Sequence, residues 1–560
     1  CTAVAPAVNP HSLKVLSGHE YFKDGVFQFT EAPPQVEAHG CYYQTIFGYA
    51  MAHDGVTYDN SAASLNRAGS RLNVVRSTLW YDDYLRVKQT RYIDAMSMNP
   101  TDTLVAYLKE RFSWALRDWS TMLDYAIEHA DDPHAKRDLR VMALKEVLEE
   151  GRSMGLIWTE AHRLAYKVKK AEMAKAGKVP RCIGDLGVPS SLQGAFITKL
   201  MKHALEEKPY VSGNATSTFC AKPSPRSLQT VFDSMLTPTL AYDFVYFSDD
   251  ACLTWEDEDG LKWANLDIAK CDASHTSRLF EFLYECTPPN AQPCMRSLIL
   301  QCSSPVTIKN PNRKGHANYH NETLVLRAVE RDGSPRATLL SGSTLTTLIN
   351  NVANLIIGHA ISASEATTAT DIELAATAAG YVITVEIAEN FEEVQFLKHS
   401  PVKDVKGDYR PLLNLGVTLR LSGRCHRDLP ADKHKTLEER AINFQQGLLK
   451  GALPRVNHPL ASVMRACAGL NPEVDPRTPP DAITPHNHLG HAYQHEHDSE
   501  VHTFDREIFK RYKLTDGETN ELLFLLSQAG YGHMYSCSGA HKILNLDYGL
   551  NCPNRAVAMD

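Results

Sequence analysis

The spacing of hydrophobic positions changes several times along the chain, and each change marks an expected element. From Pro100 to Lys175 the period is helical: Leu104, Leu108, Phe112 and Leu116 recur every fourth residue, and the run 140–150 keeps the same rhythm. Gly177 and Pro180 close that region, and a further helical stretch runs from Ser191 to Leu205. Phe244 to Phe247 is a continuous apolar run of strand type that ends in Ser248-Asp249-Asp250, and a second strand, Trp263–Leu266, ends in Asp267. A helix is expected over Ser277–Cys286, followed by a loop-rich insert with Pro and Asn at 287–335. Ser341-Gly342 opens a long apolar helix through Ile361. An Ala-rich helix, Ile372–Ala379, and short strands around Tyr381–Val385 and Val394–Leu397 come next. Beyond Pro401 the pattern is mostly helical, interrupted by a polar, His-rich stretch at 481–502. Residues 1–60 lack a period and read as extended or loop-rich, and no internal repeat is visible.

The acidic strand ends are the candidate chemistry. Phosphoryl transfer asks little covalent work of a protein and a great deal of charge stabilisation and alignment. Two divalent metals about 4 Å apart can clamp the attacking and leaving oxygens, and hard cations such as Mg²⁺ take oxygen ligands and only a few carboxylates. Asp249, Asp250 and Asp267 suffice for such a site. An Asp-Asp pair by itself is also an ordinary turn signal, so its neighbours decide its meaning. Asp272 follows Asp267 after four residues, which places a second carboxylate past the strand end, near a nucleotide's ribose if Asp267 binds metal. Asp272 or Ser274 capping the next helix fits equally well.

Segment 341–350 reads Ser341-Gly342-Ser-Thr-Leu-Thr346-Thr-Leu-Ile-Asn350. Glycine lets the chain bend sharply before a helix and lets a ligand approach the backbone. Thr346 and Asn350 lie four apart on one helix face. With Ser341 they form a polar set able to read a 2′-hydroxyl, the group that separates RNA from DNA precursors. A glycine-started helix with buried, satisfied polar residues is the alternative.

Taken together, Asp267-x4-Asp272-Ala-Ser and Ser341-Gly-x3-Thr346-x3-Asn350 resemble motifs A and B of viral RNA-directed RNA polymerases. Gly380-Tyr-Val-Ile-Thr-Val-Glu386 and Phe391-Glu-Glu-Val-Gln-Phe396-Leu-Lys398-His are similar to motifs D and E. Lys178-Val-Pro-Arg181 resembles motif F, whose basic residues meet the triphosphate. The family's aspartate pair belongs between motifs B and D, but the interval from Asn350 to Gly380 holds no strand–Asp-Asp–strand pattern. Asp249-Asp250 lies ahead of motif A instead, which resembles the permuted C-A-B order of birnaviruses and of permutotetraviruses related to Thosea asigna virus. Ser248 stands where glycine is usual, and motif D has no obvious lysine for a general acid.

The resemblance implies a mixed α/β (α+β palm) right-hand polymerase, with fingers, palm and thumb and an antiparallel palm sheet of permuted motif order. The expected layout is an N-terminal extension and fingers at 1–235, with motif F near 178–185, and a thumb at 401–560. The palm occupies 236–400, with motif C at 244–252, A at 263–274, B at 341–351, D at 372–390 and E at 394–399. Asp249, Asp250 and Asp267 are then the catalytic metal ligands for Mg²⁺ (or Mn²⁺). Asp272, Ser341, Gly342, Thr346 and Asn350 bind the nucleotide sugar, and Lys178 with Arg181 its phosphates. The implied partners are an RNA template and product strand, NTPs and other viral replication proteins, in host cytoplasm or virion. A reverse transcriptase, with a bulky sugar gate in place of Asp272 and Asn350, and an inactive palm that binds viral RNA are the rival readings.

Composition narrows this without deciding it. The 560 residues are 43% hydrophobic and 22% charged, ordinary for a globular chain with several lobes. A net charge of −8 excludes a basic nucleic-acid-coating protein but not an enzyme with a locally positive channel. No transmembrane run or signal peptide is visible. The 13 cysteines lack paired spacings, as expected for reduced thiols in a cytosolic compartment. The start at Cys1, without methionine, fits a truncated or processed chain. His486, His488, His491, His495, His497 and His502 raise a zinc site, without cysteine partners or a strong helix signal to support it. Lys222-Pro-Ser-Pro-Arg226 reads as a template-path or surface turn, and Cys271 as a packing residue.

Overall fold

The computed structural model describes residues 84–119, 197–220, 226–303, 341–419, 456–466, 500–528 and 537–548, together with shorter segments, several as backbone only. Lys178, Arg181, Lys222 and the histidines from His486 to His497 lie outside the described residues.

Six strands make one sheet: β1 (Tyr210–Val211), β2 (Ala215–Phe219), β3 (Tyr242–Phe247), β4 (Asp250–Asp257), β5 (Gly260–Ile268) and β6 (Ile383–Ile387). Their spatial order is β6-β5-β4-β3-β2-β1, antiparallel except for the parallel pair β2 and β3. Parallel neighbours need a crossover, and a helix at Pro225–Leu236 supplies it. Two further strands, β7 (His399–Lys403) and β8 (Tyr409–Leu413), form a separate antiparallel hairpin. The helices that matter below are α1 (Trp80–Met98), α2 (Thr103–Ala115), α3 (Pro225–Leu236), α4 (Ser277–Cys286), α5 (Gln292–Cys302), α6 (Thr346–Ala363), α7 (Ala369–Ala378) and α8 (Ser538–Tyr548).

Alternation along the strands sorts the sheet into two buried faces. Tyr242, Phe244 and Tyr246 of β3, Ala251, Leu253 and Trp255 of β4, and Ala264, Leu266 and Ile268 of β5 enter the larger core. There α6 lies across β3: a Cβ added at Gly358 would sit 3.4 Å from the Phe244 ring. Helix α6 is buried along most of its length, as expected for a helix apolar on nearly all sides. On the opposite face Val245 and Cys252 pack with Leu228, Val231, Phe232 and Met235 of α3 and with Phe391, Val394 and Phe396. The Trp263 indole seals that layer by donating to the Met235 carbonyl at 2.9 Å.

Helix ends follow local chemistry. Asp102 caps α2 by accepting from the Leu104 and Val105 amides at 3.0 Å each. Gly380, at φ 84, ends the segment after α7 where the Gln89 backbone of α1 passes so closely that a Cβ would come within 2.5 Å of the Gln89 amide nitrogen.

Several elements differ from the sequence expectation. The stretch expected as a loop-rich insert contains α5 and an antiparallel ribbon, Val306–Lys309 with Thr323–Leu326. Pro293 stands in the first turn of α5, where its missing N–H costs nothing, and Cys294, Met295, Leu298, Ile299 and Cys302 are buried at helical spacing. Ala165–Val168, inside the stretch expected to be helical, is a strand paired with Cys182–Asp185; long-range pairing outweighs local period there. The strand expected at Val394–Leu397 is a tight turn whose only bridge joins Phe396 to His399, and strands β7 and β8 open the region expected to be helical.

Candidate functional site

Strands β3 and β4 are joined at Ser248-Asp249, which makes the acidic pair the tip of a hairpin. Its second strand, β4, lies against β5, and Asp250 is the register partner of Asp267. The two carboxylates share a face, because Asp250 and Cys252 on β4, and Asp267 with Trp263 on β5, alternate away from the larger core. Asp249 and Asp267 are exposed. Partial desolvation by the surrounding sheet, then the charges of Asp249 and Glu386, hold the Asp267 carboxyl above the usual carboxylate range. Neither Asp249 nor Asp267 forms an ion pair among the described residues.

Asp250 has a different environment. Its Oδ2 accepts the Leu397 amide at 2.9 Å. Burial pushes its pKa up to about 6; the Leu397 hydrogen bond opposes that rise and Asp249 reinforces it. Leu397 and Lys398 occupy the left-handed region in succession, at φ 50 and φ 63, so the turn between Phe396 and His399 is a strained two-residue reversal. Lys398 is held from the other side: its ammonium donates to the Asp547 carbonyl at 2.7 Å and lies 4.5 Å from the Tyr548 ring centre, both on α8.

Ser248 is also left-handed, at φ 55, a conformation that costs a side-chain-bearing residue energy. Three asparagines of α6 satisfy its polar groups. Its amide donates to Asn351 Oδ1 at 2.6 Å, its carbonyl accepts from Asn354 Nδ2 at 2.5 Å, and its hydroxyl accepts from Asn350 Nδ2 at 3.2 Å.

Asn350 belongs to a second set as well. Its Nδ2 donates to Asp272 Oδ1 at 3.2 Å, and the Ser341 hydroxyl donates to Asp272 Oδ2. Its Oδ1 accepts from His275 Nε2 at 2.7 Å, which fixes the amide orientation. His275 Nδ1 then accepts from the Tyr381 hydroxyl at 3.2 Å. Burial pushes the His275 pKa down to about 4, so the ring is neutral and donates from one nitrogen only. Gly342, at φ 102, supplies the bend after Ser341 that a residue with Cβ would resist. Thr346 opens α6 one turn before Asn350. Gln89 braces the same segment from α1, donating to the Ser274 carbonyl and accepting from the Thr276 amide at 3.0 and 2.8 Å.

Asp249, Asp250 and Asp267 therefore lie at neighbouring strand ends, and Asp272, Ser341 and Asn350 form one hydrogen-bonded set linked to them through Ser248. His275, Tyr381, Asn351, Asn354 and Leu397 were not singled out from sequence. The three asparagines, Asn350, Asn351 and Asn354, carried a readable signal: amides in an otherwise apolar helix require buried partners. His275 and Leu397 carried none, since their partners are distant in the chain. Among the described residues, no three His, Cys, Asp or Glu side chains stand close enough to form a metal cluster. The donor chemistry still suits a hard cation, with exposed carboxylate oxygens at Asp249 and Asp267 and, among the described residues, no cation paired to them.

No family model matches the chain, and no curated protein matches it. Among solved structures, the chain is similar to that of the birnavirus VP1-VP3 complex, at 11% identity and a TM-score of 0.37, over 60% of this chain and 46% of that one. It is also similar to the RNA polymerase VP1 from Infectious Pancreatic Necrosis Virus, at 10% identity and a TM-score of 0.37, over 80% of this chain and 72% of that one. The chain thus spans about half the length of the first of these. At such low identity and superposition, what this chain does is inferred from its own side chains. No helix among the described residues is long and apolar enough to cross a membrane.

Proposed function

We propose that the chain is a template-directed nucleic-acid polymerase whose palm carries its acidic hairpin ahead of the first strand aspartate. More particularly, it is an RNA-directed RNA polymerase with a permuted motif order. The observation that carries this reading is that Asp249 and Asp267 are exposed on adjacent strand ends while Asp272, Ser341 and Asn350 are hydrogen-bonded together beside them.

Asp249 and Asp267, with Asp250, would hold Mg²⁺ (or Mn²⁺), which supplies neutralisation of phosphate charge and lowers the pKa of a bound hydroxyl. Asp272 and Asn350 present an acceptor and a donor suited to a 2′-hydroxyl, and Ser341 orients Asp272. Lys178 and Arg181 are assigned to the triphosphate on sequence alone. The turn at Leu397 and Lys398, fixed between Asp250 and α8, would support the 3′ end of the growing strand. The 3′-hydroxyl attacks the α-phosphorus and pyrophosphate leaves. The RNA template, NTPs and a second viral protein are the proposed partners, in host cytoplasm or virion.

The test is divalent-metal-dependent extension of an RNA primer on an RNA template by the full chain. Incorporation of NTPs in preference to dNTPs, lost in Asp267→Ala, is the expected result. Preference for dNTPs would favour a reverse transcriptase, and RNA binding without extension an inactive palm.

A further inference from the structure

We propose that Ser248 is a positioning residue that reports the identity of the bound sugar to the aspartate hairpin, a role that rests on the polymerase reading above. The basis is the hydrogen-bond inventory of one amide. Asn350 has two N–H donors, and both are spent, one on Asp272 Oδ1 and one on the Ser248 hydroxyl, each at 3.2 Å. Its oxygen is spent as well, on His275 Nε2 at 2.7 Å with the Cys271 thiol at 3.4 Å. His275 is itself fixed by Tyr381, so the amide cannot turn over without breaking a buried chain of bonds.

A sugar hydroxyl that reaches Asn350 must therefore take a donor already in use. Both existing bonds are long for N–H···O, so either can yield. The Asp272 bond is charge-assisted and the Ser248 bond is not; the hydroxyl of Ser248 is the weaker holder. When it is released, Ser248 keeps its backbone clamps at Asn351 and Asn354 but loses its side-chain tether. Asp249 follows Ser248 directly, at the tip of the hairpin. A ribose and a deoxyribose thus leave the hairpin in different states: only the former, with its 2′-hydroxyl, competes for the amide. Glycine at this position would carry the same left-handed backbone without strain and could not carry this signal, since it has no hydroxyl.

The experiment is steady-state incorporation of an NTP and of the matching dNTP by the full chain and by Ser248→Ala and Ser248→Gly. Both variants lack the hydroxyl, and the glycine variant also removes backbone strain, which guards against a folding defect. The expected result is that the advantage of the NTP over the dNTP shrinks by about tenfold, the scale of one hydrogen bond, in both variants. The change falls in kcat for the dNTP, which rises because both variants hold the hairpin in the released state whichever sugar is bound, while kcat and KM for the NTP and the metal concentration for half-maximal rate stay as they were. By contrast, Asn350→Ala, which removes the sugar contact itself, raises KM for the NTP. Extension with unchanged discrimination in both serine variants, or an equal loss on both substrates, overturns the role of Ser248 and leaves the polymerase reading standing. No extension by the unaltered chain overturns the polymerase reading and this inference together.

Discussion

Asp250 and Asp267 are register partners on adjacent antiparallel strands, yet their carboxylates have different duties. Asp267 is exposed and faces the charge of Asp249, whereas Asp250 accepts the Leu397 amide. The contrast separates the acidic residues into an outer pair and an inner anchor.

Asp267→Ala and Asp249→Ala should each reduce nucleotide incorporation by about 10³-fold or more, the scale of losing a metal-held charge stabiliser. Circular dichroism and thermal melting should stay close to the parent, because both side chains are exposed. Single-turnover extension measures the first expectation; undiminished rates would remove these residues from the site.

Asp250 distinguishes anchor from ligand. Asp250→Asn keeps an oxygen acceptor for the Leu397 amide and removes the charge, whereas Asp250→Leu leaves that amide unsatisfied. The leucine variant should lose about 1–3 kcal/mol of stability, the cost of orphaning a partly buried donor, and the asparagine variant much less. Urea denaturation checks this. Equal losses in the two variants would show that the Leu397 bond contributes nothing.

Gly380→Ala should be among the most damaging single-methyl changes in the chain. The position needs φ 84, and the new Cβ would lie 2.5 Å from the Gln89 backbone nitrogen, which cannot move like a side-chain end. A loss of roughly 2–4 kcal/mol is expected from strain and overpacking combined, read as a fall in Tm. A neutral substitution would mean that α1 does not pack where it is described.

Acid should weaken the fold through three buried histidines. Burial pushes the pKa of His275 and His399 down to about 4 and that of His458 to about 3, from 6.5. The unfolded chain therefore binds more protons below pH 6.5, and stability falls with pH from there until the folded values are reached. Each ring should contribute about 2 kcal/mol of loss by pH 5. His458→Asn should flatten the dependence of Tm on pH between 6.5 and 5; an unchanged slope would count against a buried neutral ring.

Much of this was legible because it is local. The hairpin before Asp250, the strand into Asp267 and the helix from Thr346 follow from runs and spacing within a few residues. What escaped was set by distance or by position within an element. The α5 helix hid behind Pro293, which is harmless in a first turn. The left-handed turn at Leu397 has neither glycine nor asparagine to announce it, and is held by Asp250 from 147 positions away. His275 acquires its role only when α6 and Tyr381 close around it. Ser248 stands where glycine is usual, and its three asparagine partners explain why the departure is tolerated.

The meander of β3, β4 and β5, Tyr242 to Ile268, contains every one of the strand-end aspartates. Two short hairpins bring Asp249, Asp250 and Asp267 together, so the entropy of closing the site is that of small loops. The mutual repulsion of these carboxylates is met by a segment that pairs quickly through contacts close in sequence. The long excursion through α4, α5 and α6 can then bring Ser341 and Asn350 to a charged frame already in register. In a chain that placed its acidic hairpin after α6, the same frame would have to wait for that excursion to finish.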